Sequence, residues 1–466
     1  MAQTAISPGG AGVTQTAAQP LLRWRSYLLA DVDGASLALF RILFGVVMAW
    51  EVVRYFENGW IARYYIEPSF FFSYLPFIQP WPGDGMYWHF AATGLLALMV
   101  AAGLFYRVAA WLFCLAFSYI FLLDKAQYLN HFYLIALLSL LMALAPAQRA
   151  WSLDGLLKPG TAPVVPRWSL LLLRFQVAIV YFYGGIAKLN SDWLSGQPLD
   201  EWLARRDDLI VIGPLLAQPW SGLAFAWGGL LIDLCVPLLL LWPRTFWLGA
   251  AAAVGFNALN GQIFSIGIFP WLMVAALVLF PQPGWPRTLL GRQLQVSQWP
   301  VGVEKQVRRS APAIIALLVA LHVYALGQLL IPLRHWLYPS DVAWSEEGHR
   351  FAWRMKLRDK DADLVMFASD PVSGERQRIE PRDWITARQE GKMATRPDMI
   401  QQFAHFVADE HERRGAPRPQ ITVFATASLN GGPASYLIDP HVDLASTRVS
   451  LGPANWIMPR EQNLLQ

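Results

Sequence analysis

The sequence predicts an α-helical multi-pass membrane bundle of about eight to nine transmembrane helices, followed by a mostly β extramembrane domain with one helix. Three observations carry that expectation. Of the 466 residues, 55% are hydrophobic and 15% charged, against roughly 25% charged in an average soluble domain. The charges are unevenly spread, since residues 333–466 hold 35 of the 70 Lys, Arg, Asp and Glu side chains in less than a third of the chain. Long apolar runs fill the first part, whereas the last part alternates apolar and polar residues between turn sequences.

Taken in order, residues 1–20 are small, polar and interrupted by Gly and Pro, and they read as a flexible tail without the basic and apolar regions of a cleaved signal. Residues 21–332 form the expected membrane domain. Nine apolar stretches lie there, at about 36–54, 86–105, 108–123, 131–146, 169–188, 221–242, 246–264, 268–281 and 311–332, several of them shorter than the roughly 20 residues of a perpendicular span. With the N-terminus inside, the inner segments hold twelve Lys and Arg, among them Lys305, Arg308 and Arg309; the outer loops hold five, beside acids such as Asp200 and Asp207. Positive charge stays on the cytoplasmic side, so residues 333–466 are expected to face out, into a periplasm or an organelle lumen.

In that last domain RMKLRD, ADLVMFAS, QITVFATASL and ASYLI have strand period, with DPVSGE and NGGP as turns. PDMIQQFAHFVADEHERRG has helical spacing and ends in glycine. Cys114 and Cys235 lie inside apolar runs and behave as small hydrophobes, so no disulfide or cysteine metal site is expected. The net charge of +4 comes with no basic run set among aromatic readers, which gives no reason to expect nucleic acid. No HExxH, P-loop, GxGxxG or GxSxG motif occurs, and no metal is expected.

Chemistry is carried by polar residues where apolar ones belong. Arg41, Glu51, Arg174 and Asp233 sit in or near spans, and each costs a few kcal/mol unless paired or facing a wet cavity. Structural pairing, for example Arg174 with Asp233, is one reading and a polar pocket between helices the other. Lys188 ends the fifth stretch in YFYGGIAKLNSDW, where Gly185, Tyr181, Ala178 and Arg174 share its face by helical spacing. Gly184 and Gly185 let a second backbone or a flat ligand come close. A lysine at a span end also serves as a snorkelling anchor, and His131, at the start of the fourth stretch, also suits a structural role. Asn257, Asn260, Gln262 and Ser265 are stranded in an apolar segment and need partners or a ligand.

At these blocks the chain resembles the vitamin K-dependent gamma-carboxylase family, whose membrane part is the horizontally transferred transmembrane domain. SLALFRILFG, FLLDKAQYLNH, WSLDGLL, RFQVAIVYFYGGIAKLNSDWL, LLIDLCVPLLL, LNGQIFSIGIF, WPRTLLG, FAWRMKLRD and LIDPHVDL carry it, in the family order, across roughly residues 35–450. The resemblance implies a peptidyl-glutamate carboxylase of bacterial type that uses vitamin K hydroquinone, O2 and CO2 and leaves vitamin K epoxide. It implies Lys188 as the base that deprotonates the hydroquinone and His131 in the carboxylation half. Asn130, Tyr181, Gly185, Asn257, Asn260 and Gln262 are the expected quinone-binding residues, and Arg41, Arg174 and Asp233 the structural intramembrane charges. Family members usually carry a second lysine directly before the catalytic one, where this chain has Ala187.

The chemistry makes sense of such residues. The γ-carbon proton of glutamate is too weakly acidic for any side chain, so the family makes a strong base from the hydroquinone anion and O2. For Lys188 to start the sequence its amine must be neutral, which an apolar enclosure favours. Arg350, Arg354, Lys356 and Arg358, where the chain leaves the membrane, are expected either to attract glutamate carboxylates or to be solvated strand charges. The implied partners are a glutamate-containing peptide or protein, the bilayer and a quinone reductase. Two other functions stay open: a quinone epoxidase with a changed or lost acceptor, and a non-catalytic quinone or lipid binder.

Overall fold

The computed structural model describes residues 15–206, 208–209, 212–295 and 311–460. Asp207, Lys305, Arg308 and Arg309, used above to orient the chain, lie outside the described residues. The first helix, α1 (Gln15–Leu29), starts inside the stretch read as a tail. The bundle then runs through α2 (Ala35–Glu57), α3 (Gly85–Ala102), α4 (Tyr106–Leu123), α5 (Asn130–Leu144), α6 (Arg167–Ala187), α7 (Ser221–Leu241), α8 (Phe246–Ile263), α9 (Phe269–Ala276) and α10 (Ala311–Leu330).

Six helical segments among the described residues are long and apolar enough to cross a membrane: α2, α3, α4, α6, α7, and the stretch Pro312–Leu337 that begins in α10. The fourth stretch gives only the 15 residues of α5, and the eighth a segment of similar kind, Phe269–Leu279. The seventh, α8, is long enough but too polar, because Asn257 and Asn260 lie in it. Among the described residues the nine apolar stretches thus give six helices both long and apolar enough to cross a membrane and three that fail on length or polarity. Exposed Leu98, Leu238, Trp247 and Val319 on the outer faces need an apolar solvent.

Local chemistry sets the turns that position the site. Asp124 ends α4 and accepts the Ala126 N–H at 2.9 Å, and Asn190 caps the turn after α6 by accepting from the Trp193 N–H at 2.9 Å. Between α6 and α7 the glycines act as expected. A Cβ on Gly185 would come within 2.6 Å of Leu234, and one on Gly184 within 3.0 Å of the Asp233 carboxylate, so only glycine lets α7 lie this close.

Beside the bundle β1 (Asp31–Asp33) pairs antiparallel with β2 (Val164–Pro166), and the C-terminal domain is an antiparallel sheet made of β3 (Lys360–Ser369), β4 (Arg376–Ile379), β5 (Gln420–Leu429) and β6 (Ser435–Tyr436), in the order β4–β3–β5–β6. Register pairs Met366 with Val423 and Lys360 with Leu429. Alternate β5 residues Ile421, Val423, Ala425, Ala427 and Leu429 are buried, as period two requires. The predicted helix appears as α12 (Pro397–Arg413) and lays Met399, Ile400, Phe403 and Val407 into that core, preceded by a short α11 (Ala387–Ala394) with a Thr386–Gln389 capping box. RMKLRD, expected as a strand, is irregular: positive φ at Trp353 and Lys356 breaks the extended run. Phe72 and Ala126 from the bundle loops enter the core of this domain, so the two parts dock.

Candidate active site

Where the parts meet lies a cavity of about 1160 Å³, larger than the 300–1,000 Å³ of common small-molecule sites and so roomy enough for two reactants. Its wall brings together Lys188, Asp233, Tyr181, Asn257, Asn260, His131 and Asn130 from α5, α6, α7 and α8, with Phe225, Phe256, Phe264 and Phe269 between them. At its extramembrane end stand Arg354, Lys356, Arg358, Lys360, Arg388, Lys392 and Arg396.

Lys188 is the residue after α6 and only 7% exposed. Its Nζ donates to the Asp233 carboxylate and to the Gly184 carbonyl at 3.2 Å, and it stands 5.3 Å from the Trp193 ring centroid. The apolar enclosure expected around this amine is therefore not complete, because a buried carboxylate faces it. The expected Arg174–Asp233 pair is not found. Arg174 lies fourteen residues from Lys188, about 21 Å along a helix, and gives its hydrogen bonds to the Leu279 and Pro281 carbonyls at 2.6 and 2.8 Å. Arg41 is fully buried and donates to the Trp151 carbonyl at 2.5 Å, away from the cavity.

Tyr181 accepts from the Asn257 side chain at 3.0 Å. Asn130 donates to the Arg354 carbonyl at 3.0 Å and accepts from the Tyr128 hydroxyl, tying the cavity wall to the C-terminal part of the chain. His131 is buried against Phe132 and Phe269, and neither ring nitrogen has a hydrogen-bond partner among the described residues. Two expected ligand residues fall elsewhere. Gln262 is exposed and off the cavity wall, pointing away because α8 buries Ile263 instead, and Gly185 is covered by Leu234.

Of the four cations expected to draw carboxylates, Arg350 is spent on Asp398 at 2.7 Å and Arg358 on Glu346. Arg354 and Lys356 remain without an acid partner among the described residues, and Lys392 joins them on the wall. Burial lowers Arg354 to about 10 and, with Arg396, Arg388 and Lys356 adding repulsion, lowers Lys392 from 10.5 to about 8. Cations gathered on one wall without an ion-pair partner among the described residues fit an anionic ligand. Lys392, one helical turn from Arg388 on α11, carries no signal in the sequence that sets it apart from a solvated surface lysine.

The HTTM domain family matches residues 29–285, and the lumenal domain of vitamin K-dependent gamma-carboxylase matches residues 314–463. The chain belongs to the vitamin K-dependent gamma-carboxylase family. No solved structure matches it. The membrane-length apolar helices among the described residues and the HTTM domain make this member of the family a membrane protein with a gamma-carboxylase-like function. Among the described residues no cluster of His, Cys, Asp and Glu is suited to a metal.

Proposed function

We propose that this protein is a vitamin K-dependent gamma-glutamyl carboxylase, coupling oxidation of vitamin K hydroquinone to the epoxide with conversion of peptidyl glutamate to gamma-carboxyglutamate. The observation that carries the reading is that Lys188, paired with Asp233, shares one aromatic-lined cavity with His131. A flat aromatic diol suits that cavity, with phenylalanine rings against its faces and polar groups for its hydroxyls.

The Asp233 carboxylate holds the Lys188 nitrogen at the cavity wall. As a neutral amine it takes a hydroxyl proton from the hydroquinone, and the ammonium so formed lies beside the anion it has made. Asn257, fixed by Tyr181, and Asn260 orient the diol. His131 assists the carboxylation half. The aromatic side chains of the wall limit water around the strong base that the hydroquinone supplies with O2. The unpaired Arg354, Lys356 and Lys392 support an acidic peptide acceptor over a reading in which the acceptor has been lost. The outer domain would face the periplasm or a lumen, with a quinone reductase regenerating the hydroquinone.

The test is purified protein with reduced vitamin K, O2, labelled CO2 and a glutamyl peptide. Epoxide and labelled peptide together are expected. Epoxide without label would leave an epoxidase, and neither product would leave a binder.

A further inference from the structure

Arg54, on the last turns of α2, is used by no step above. Its Nη1 donates to Glu51 at 2.5 Å, and its guanidinium lies 5.7 and 5.2 Å from the ring centroids of Trp50 and Trp60. Those contacts hold the fork still. Its remaining nitrogens have no acceptor among the described residues, and the side chain lines the cavity. Gly267 stands directly opposite with φ +60. A Cβ there would lie 3.5 Å from Arg54 Nη1, 3.9 Å from Nη2 and 3.8 Å from His131 Nε2. A cationic fork and an imidazole nitrogen thus converge on one point that the missing side chain of Gly267 leaves open.

We propose that Arg54, positioned by Glu51, binds the γ-carboxylate of the reacting glutamate beside His131. The inference rests on the carboxylase reading and adds to it a residue for substrate recognition. Arginine matches a carboxylate through two parallel N–H donors, which a point charge cannot do. The need is greatest during reaction. When the Cγ proton leaves for the strong base, the electron pair left on Cγ is shared with the γ-carboxylate, whose charge rises from one to two. That pair then forms the new bond to CO2. Fixed donors at the carboxylate oppose the charge where it develops.

The experiment uses the full chain in detergent and a labelled pentapeptide with one glutamate, compared with the same peptide carrying glutamine. Binding is measured without O2, so no turnover is needed. Wild type is expected to favour the glutamyl peptide, and Arg54→Gln to lose about 30-fold of that preference, near the worth of a charge-assisted hydrogen bond. Arg54→Lys should keep part of it. Gly267→Ala, filling the convergence point, should lower it as well, while hydroquinone binding stays within twofold in each variant. If Arg54→Gln does not fold, Arg54→Lys and Gly267→Ala decide. Undiminished preference for glutamate in the folded variants, or none in wild type, would overturn the assignment. Wild type that binds with this preference yet makes neither epoxide nor labelled peptide would sink the carboxylase reading alone.

Discussion

The side-chain nitrogen of Lys188 is bonded to the carboxylate of Asp233, 45 positions away on the neighbouring helix, and both are almost fully buried. Two charges taken out of water repay their desolvation only while paired. Removing one is therefore worse than removing both. Asp233→Ala is expected to cost about 3–5 kcal/mol, and Lys188→Met with Asp233→Leu clearly less. Thermal unfolding in detergent checks this, and equal losses would mean that the pair is hydrated.

Base chemistry at Lys188 needs an amine, not merely a positive charge. Lys188→Ala is expected to abolish epoxide formation and a small added amine to restore part of it, because the truncated side chain leaves room in the cavity. Lys188→Arg should stay inactive, since a guanidinium does not release its proton. Epoxide measured by chromatography decides, and normal turnover in Lys188→Ala would take the role away from this residue.

His131 separates the two halves of the reaction. His131→Ala should reduce label incorporation from CO2 at least about tenfold more than epoxide formation, in keeping with a general acid–base or hydrogen-bonding contribution. Equal losses in the two assays would point to a packing role against Phe132 and Phe269.

Lys392 gives a pH dependence whose two signs differ. Burial, and then Arg396, Arg388, Lys356 and Arg358, lower it from 10.5 to about 8. Between those values the unfolded chain holds the proton more tightly, so charging Lys392 costs stability below pH 8 and the cost fades as pH rises toward 10.5. Anion attraction runs the other way. It is present below about pH 8 and lost above, so the KM for an acidic peptide should rise about tenfold between pH 7 and 9. Lys392→Gln should flatten that rise, and a persistent rise in this variant would assign it to another group.

Close helix contact supplies a structural test. Gly185→Leu drives a side chain into Leu234, already 2.6 Å from where a Cβ would sit. Overpacking of this kind costs about 1–3 kcal/mol. The variant should unfold at a lower temperature and lose the Lys188–Asp233 contact, and with it epoxide formation. Wild-type behaviour would show that α6 and α7 can part without loss.

Much of this was legible in the chain itself. Hydropathy and charge distribution separate a bundle from a polar domain, because burial in lipid and in water demand different compositions. Period two marks β3 and β5, and the glycine pair before Lys188 marks the close helix contact. The sequence alone also determined family membership, through motifs carrying Lys188 and His131 in fixed order. Only the tertiary structure decided which groups meet: Asp233 with Lys188 and not with Arg174, Asn130 with the Arg354 carbonyl, Arg54 with His131 across Gly267, and Gln262 with none of them. Spacing along one helix fixes the face a residue occupies, but the partner across a gap depends on how helices far apart in sequence pack, and no local pattern encodes that.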